Sequence, residues 1–131
     1  MDSNKKISRH IVLLGKPIST GTIYKTMCRG NFPCTYLTSK GKVLKESYQW
    51  QAKSQWKGKT ISTPITVVIN TYHDNHRKND WDNFHKLSMD ALTGIVYEDD
   101  SQIIEAIVKK HYDHLNPRIE IDLSTCMPEA L

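Results

Sequence analysis

A small mixed β-sheet with two main helices packed against it, an α/β or α+β domain, is the architecture that this chain predicts. Three features carry that expectation. Residues 65–72, ITVVINTY, form a dense β-branched run; an amphipathic helical stretch ends at Gly94; and two late apolar alternations flank Asn116-Pro117. A hydrophobic content of 38% over 131 residues suits one domain spanning 1–131, with 1–6 and 124–131 as loose tails.

In chain order, His10-Ile11-Val12-Leu13-Leu14 is a short apolar run stopped by Gly15 and Pro17, and it predicts the first strand. Residues 16–40 are rich in Gly, Pro, Ser and Thr and carry Lys25, Arg29 and Lys40 among Tyr24, Phe32 and Tyr36. That mixture predicts either a loop touching nucleic acid by charge and stacking or an ordinary surface loop with its aromatics tucked beneath. Residues 42–57 read as a helix with Val43, Leu44, Tyr48 and Ala52 near one face, Trp50 off that stripe and Gly58 closing it. Residues 65–72 are the clearest strand, and 73–79 link it to an acidic helix. From Asp82, Lys86 and Asp90 follow at i+4 and i+8 on one face, while Trp81, Phe84, Leu87, Ser88, Ala91 and Leu92 fall on the other. Gly94 provides the helix stop. Residues 103–112 alternate, with Ile104, Ala106 and Val108 on one side. Residues 118–123 place Ile119, Ile121 and Leu123 inward, and the short polar turn between the two runs predicts a β-hairpin. The predicted order is β-α-β-α-β-β.

Charge is divided unevenly. Residues 1–59 hold 12 Lys/Arg against 2 Asp/Glu, and residues 60–131 hold 6 against 12. A phosphodiester substrate explains both halves: cations neutralise phosphates away from the cut, and carboxylates approach the scissile phosphate only with a metal ion between them. Three cysteines and no basic-then-apolar opening point to a reducing, cytoplasmic setting. Cys28 and Cys34 are separated by five residues, an atypical spacing for zinc. No apolar run approaches the roughly 18 residues a bilayer requires. Neither a membrane nor a nucleotide cofactor is expected.

The stretch NDWDNFHKLSMDALTGIVYEDDSQ, residues 79–102, concentrates the chemistry. Asp80 and Asp82, one residue apart, can both reach a hard cation that prefers oxygen, and Glu98, Asp99 and Asp100 form a second carboxylate cluster. Mg²⁺, for which Mn²⁺ substitutes, offsets the repulsion between the two clusters. The same residues also admit a structural explanation, with Asp80 or Asp82 capping the helix, Lys86 pairing at i+4 and residues 98–100 forming a solvated turn. His73, His76 and His85 show no ligand spacing and stay outside the metal shell. Arg77 and Lys78, directly before Asp80, are placed to hold a phosphate backbone.

Asp80-Trp81-Asp82-Asn83, Lys86, Asp90-Ala91-Leu92-Thr93-Gly94 and Asp99-Asp100-Ser101-Gln102, in that order and spacing, resemble the RusA family of Holliday junction resolvases. The likeness extends loosely from Gly15-Lys16-Pro17 to Asn116-Pro117-Arg118-Ile119-Glu120-Ile121. It implies a Mg²⁺-dependent endodeoxyribonuclease that resolves four-way junctions in DNA recombination and repair, acting as a homodimer and of bacterial, phage or prophage origin. Asp80, Asp82 and Asp100 are then the metal ligands, Asp99 the substitute for Asp100, and Lys86 the catalytic cation. Asn83 and Asp90 lie behind them, and Lys16, Lys25, Arg29, Arg77 and Lys78 contact DNA. The alternatives are a non-catalytic branched-DNA-binding protein on the same scaffold and a nuclease for flaps or forks.

Overall fold

The computed structural model describes residues 8–76 and 84–125. Its four-stranded sheet is built around β4 (Ile65–His73), in which every second side chain from Ile65 to His73 is buried. That strict alternation arises because one face of the sheet carries the core and the other meets solvent. The order is β1 (Ser8–Leu14), β6 (Arg118–Thr125), β4, then β5 (Ile103–Tyr112) at the edge. β1 and β4 are antiparallel to β6, whereas β5 is parallel to β4, so the sheet is mixed as expected. Leu13, Ile65, Val67, Ile69, Ile119, Ile121 and Leu123 pack with Tyr48, Ala52, Leu87, Leu92, Val96 and Tyr97 in one continuous core.

Two helices cover that core. In α2 (Ser39–Gln55), the Thr38 side chain caps the start by accepting from Gly41 N, and Tyr48 and Ala52 are buried. Val43, expected on the inner face, is 69% exposed: the buried stripe runs through 41, 44, 48 and 52, and Val43 lies to one side of it. The helix stops at Gln55, before Gly58. The later helix, here α3 (Lys86–Leu92), is shorter than the periodicity from Asp82 suggests. Phe84 and His85 are bends, and 82–83 lie outside the described residues. Gly94 follows with φ +85°, the conformation expected of it.

Three further expectations need correction. Residues 16–40 are not one loop. A single helical turn, α1 (Thr20–Ile23), leads into a hairpin of β2 (Tyr24–Arg29) and β3 (Phe32–Leu37). Its turn is Gly30-Asn31, with Gly30 at φ +63°, as a glycine-first two-residue hairpin turn requires. The strands lack an apolar alternation because most of their side chains meet water. Next, β5 and β6 do not pair with each other. β4 lies between them, and the turn after β5 passes across its end, where Asp113 N donates to His73 O at 2.8 Å. β4 has core-facing side chains along its whole length and accepts a neighbour on each side, so β5 takes an edge, with Ile104 61% exposed. Finally, Ser124 and Thr125 belong to β6 and Thr125 is buried, so the ordered strand runs past the expected start of the loose tail.

The two sheet edges differ. Along β1, Gln51 and Gln55 of α2 act as a substitute strand. Gln55 accepts from Val12 N at 2.8 Å and donates to Val12 O at 2.7 Å, and Gln51 accepts from Leu14 N at 2.6 Å. No such cover lies along β5 among the described residues. No helix of the described residues is long and apolar enough to cross a membrane.

Candidate nuclease site

Two of the predicted site elements are described, and both lie on the path from α3 to β5. On α3, Lys86 Nζ stands 3.6 Å from Asp90 Oδ2. Asp90 also accepts a hydrogen bond from the Tyr24 hydroxyl, and Lys86 Nζ lies 5.0 Å from the centre of the Tyr24 ring. Burial, reinforced by the Asp90 carboxylate, pushes the Tyr24 phenol well above its ordinary pKa, so it remains a donor. Tyr24 thus fixes the carboxylate that fixes the lysine. No sequence signal near Lys86 reveals this contact, because Tyr24 and Asp90 are 66 positions apart.

The second element is the acidic turn. Asp99 caps a single 3-10 turn, Asp100–Gln102, by accepting from Ser101 N at 3.0 Å. Hydrogen bonds from Ser101 hold the Asp99 carboxyl below its usual range. Gln102 completes the capping box. Its Oε1 accepts from Glu98 N at 2.9 Å and Asp99 N at 2.8 Å, while its Nε2 donates to Ile61 O at 2.8 Å and Thr63 O at 2.9 Å. The glutamine that closes the D-D-x-Q motif therefore staples the turn to the segment before β4. Asp100, by contrast, makes no side-chain hydrogen bond or ion pair among the described residues and is exposed.

Tyr97 joins the two elements. Its buried hydroxyl donates to Met89 O at 2.5 Å, and its pKa is pushed up to about 12, first by burial and then by the nearby charges of Asp100, Asp90 and Asp99. The turn and the α3 carboxylate therefore act on one buried phenol. Tyr24, Tyr97 and Gln102 are the site residues that the motifs alone leave without a role.

Asp80, Asp82, Asn83, Arg77 and Lys78 lie outside the described residues, on the connection that leaves β4 and enters α3. Lys16, after β1, is half-exposed and pairs with Asp74 at 3.5 Å, at the start of that connection. Lys25 and Arg29 belong to β2 of the hairpin. Among the described residues no three His, Cys, Asp or Glu side chains converge on a point that could hold a metal ion. A cation at Asp100 needs donors from elsewhere, and Asp80 and Asp82 are the oxygen-bearing candidates. Cys28 stands opposite Pro33 and Cys34 opposite Met27, so the two thiols leave opposite faces of the hairpin and do not chelate together.

The RusA endodeoxyribonuclease family model matches residues 15–124. The chain belongs to the RusA family. It is thereby an endodeoxyribonuclease, of a family whose general activity is on Holliday junctions and whose substrate is branched DNA. The matched region runs from the glycine that ends β1 to the last turn of alternation in β6, and so includes the hairpin, both acidic elements and all of the RusA-like motifs. No individually curated protein matches the chain.

Proposed function

We propose that this RusA-family enzyme resolves four-way DNA junctions in recombination and repair by Mg²⁺-dependent hydrolysis of two symmetrically placed phosphodiesters. The observation that supports this reading best is the division of roles in the acidic turn. Asp99 is committed to the backbone of Ser101, whereas the Asp100 carboxylate has no partner among the described residues and rises from a turn whose backbone is tied down by a four-bonded Gln102. An exposed carboxylate on a rigid support is what a hard-cation site requires. Asp80, Asp82 and Asp100 would hold Mg²⁺ or Mn²⁺, with Asp99 a structural neighbour rather than a ligand. Bound there, the ion supplies an activated water and neutralises charge on the phosphate.

The chain's own residues perform the remaining tasks. Lys86, oriented by Asp90 and Tyr24, presents its ammonium to the phosphate as charge builds on it, or gives a proton to the leaving oxygen. Asn83 holds a neighbouring carboxylate or backbone group. Lys16, Lys25, Arg29, Arg77 and Lys78 neutralise the DNA backbone away from the cut.

Two symmetric cuts call for two sites, and the β5 edge, uncovered among the described residues, offers the surface for a twofold dimer. Glu105-Ala106-Ile107-Val108-Lys109 is self-complementary in an antiparallel pairing. With Ile107 on the axis, Glu105 of each copy faces Lys109 of the other, on the same side of the joined sheet. Neither charge has an ion-pair partner among the described residues.

A synthetic four-way junction tests the reading. Wild type should introduce paired symmetric nicks only when Mg²⁺ or Mn²⁺ is added. Asp82→Asn and Asp100→Asn should bind the junction without cutting it, while Asp99→Asn should retain most cleavage. Binding without metal-dependent cutting by wild type identifies a non-catalytic junction binder, and cutting chiefly of flaps or forks identifies the wider nuclease.

A further inference from the structure

The β2–β3 hairpin packs on the body only at its base, and beyond the base the described side chains of both faces are exposed. Tyr24 and Leu37, cross-strand partners, pack against the core. On the opposite face the partners are Lys25 with Tyr36 and Met27 with Cys34, and Phe32 follows on that face, opposite the backbone of Arg29. Phe32 is 75% exposed at the tip, and Tyr36 and Met27 are each about half-exposed. Two large rings therefore meet water on this ribbon, Phe32 over most of its surface and Tyr36 over about half. Residues 24–37 contain Lys25 and Arg29 and no Asp or Glu.

We infer that this outer face is a stacking platform for unpaired bases at the branch of the DNA substrate, with Phe32 and Tyr36 as the two stacking rings. The inference rests on the nuclease reading above and deepens it. Exposed aromatic rings on a ribbon that carries Lys25 and no acid match a polyanion whose bases expose their π-faces. A continuous duplex hides those faces and offers the ribbon only phosphates. Phe32 and Tyr36 are four residues apart on one strand, roughly 13 Å, which spans about four stacked nucleotides at ~3.4 Å each. The base of the hairpin is Tyr24, whose hydroxyl and ring meet Asp90 and Lys86. A strand splayed along the outer face is thus anchored beside the cation that faces the scissile phosphate. The two-residue turn at Gly30-Asn31 keeps the ribbon narrow, and Pro33 stiffens the strand behind Phe32.

Anisotropy titrations of the full chain in EDTA provide the test, using a four-way junction with 2-aminopurine at the branch and a duplex of the same sequence. Wild type should quench the branch 2-aminopurine. Phe32→Leu and Tyr36→Leu, which keep apolar bulk and remove the ring, should each lose the quench and weaken junction binding about 10-fold, within the ~1–3 kcal/mol of one base stack. Duplex affinity should stay within twofold, and Phe32→Trp should restore junction binding. Circular dichroism confirms that these surface variants remain folded. Junction binding by the leucine variants equal to wild type, or an equal loss on junction and duplex, overturns the inference. Both results leave the nuclease reading standing if Asp100→Asn still abolishes cutting. Absence of Mg²⁺-dependent cutting by wild type defeats the nuclease reading while the quench still judges the platform.

Discussion

Replacing Gln102 with alanine removes four hydrogen bonds in one step and tests whether the acidic turn is held as the structure indicates. The amide reinforces the backbone bridge between Ile61 and Tyr97: it accepts from Glu98 N and Asp99 N and donates to the carbonyls of Ile61 and Thr63. The two donations are part-buried and are each worth about 1 kcal/mol; the two acceptances lie in an exposed turn, where water competes, and are worth about 0.5 kcal/mol each. The expected loss is about 3 kcal/mol, or a fall in Tm of roughly 10 °C for a chain of this size. Urea unfolding monitored by tryptophan fluorescence measures it. Gln102→Glu keeps the acceptors but turns a carboxylate toward two carbonyls, so it should lose at least as much near neutral pH and recover part of it in acid as the carboxyl protonates. Since the turn carries Asp99 and Asp100, Mg²⁺-dependent cleavage should drop in both variants below the unfolding midpoint. A Gln102→Ala protein that unfolds within 0.5 kcal/mol of wild type and cuts at the wild-type rate refutes the reasoning.

Tyr24→Phe deletes the hydrogen bond to Asp90 while keeping the ring beneath Lys86. Junction cleavage should fall roughly 10-fold in kcat with KM unchanged, the pattern of a positioning residue, and an unchanged kcat removes Tyr24 from that role. Glu105→Lys or Lys109→Glu alone places like charges opposite each other twice in the proposed dimer. Each should weaken dimerisation by about 2 kcal/mol, roughly 30-fold in Kd, by light scattering after size exclusion, and the double swap should restore it. Dimers unaffected by either single change place the interface elsewhere. His10 bonds Asp122 through Nδ1 at 2.5 Å and Glu120 through Nε2 at 2.9 Å, and its pKa is raised, chiefly by the Asp122 hydrogen bond. A raised histidine contributes most below its ordinary value near 6.5, and the contribution fades as pH climbs through the folded value. His10→Gln should therefore be clearly less stable than wild type at pH 5.5 and close to it at pH 8.5. The difference between the two proteins isolates His10 from His73, whose pKa burial lowers and which pulls the opposite way. A difference that does not vary with pH defeats the prediction.

Local physics made much of this protein legible. Alternation identified the central strand and the inward side of β6, since a side chain's face in a strand depends only on its parity. Motif order and spacing identified the family and marked the acidic helix and turn, since residues a few positions apart must act together whatever surrounds them. Asp80 and Asp82 lie outside the described residues. What the tertiary structure decided were contacts between distant positions. Placing β4 between β5 and β6, where a hairpin was expected, depends on which strand can bury its side chains from end to end. The Tyr24–Asp90–Lys86 cluster and the Gln102 staple depend on segments 66 and about 40 residues apart arriving at one place. Periodicity carries no record of such partners, because closing a long loop costs nearly the same for many pairings and only the packed core selects one.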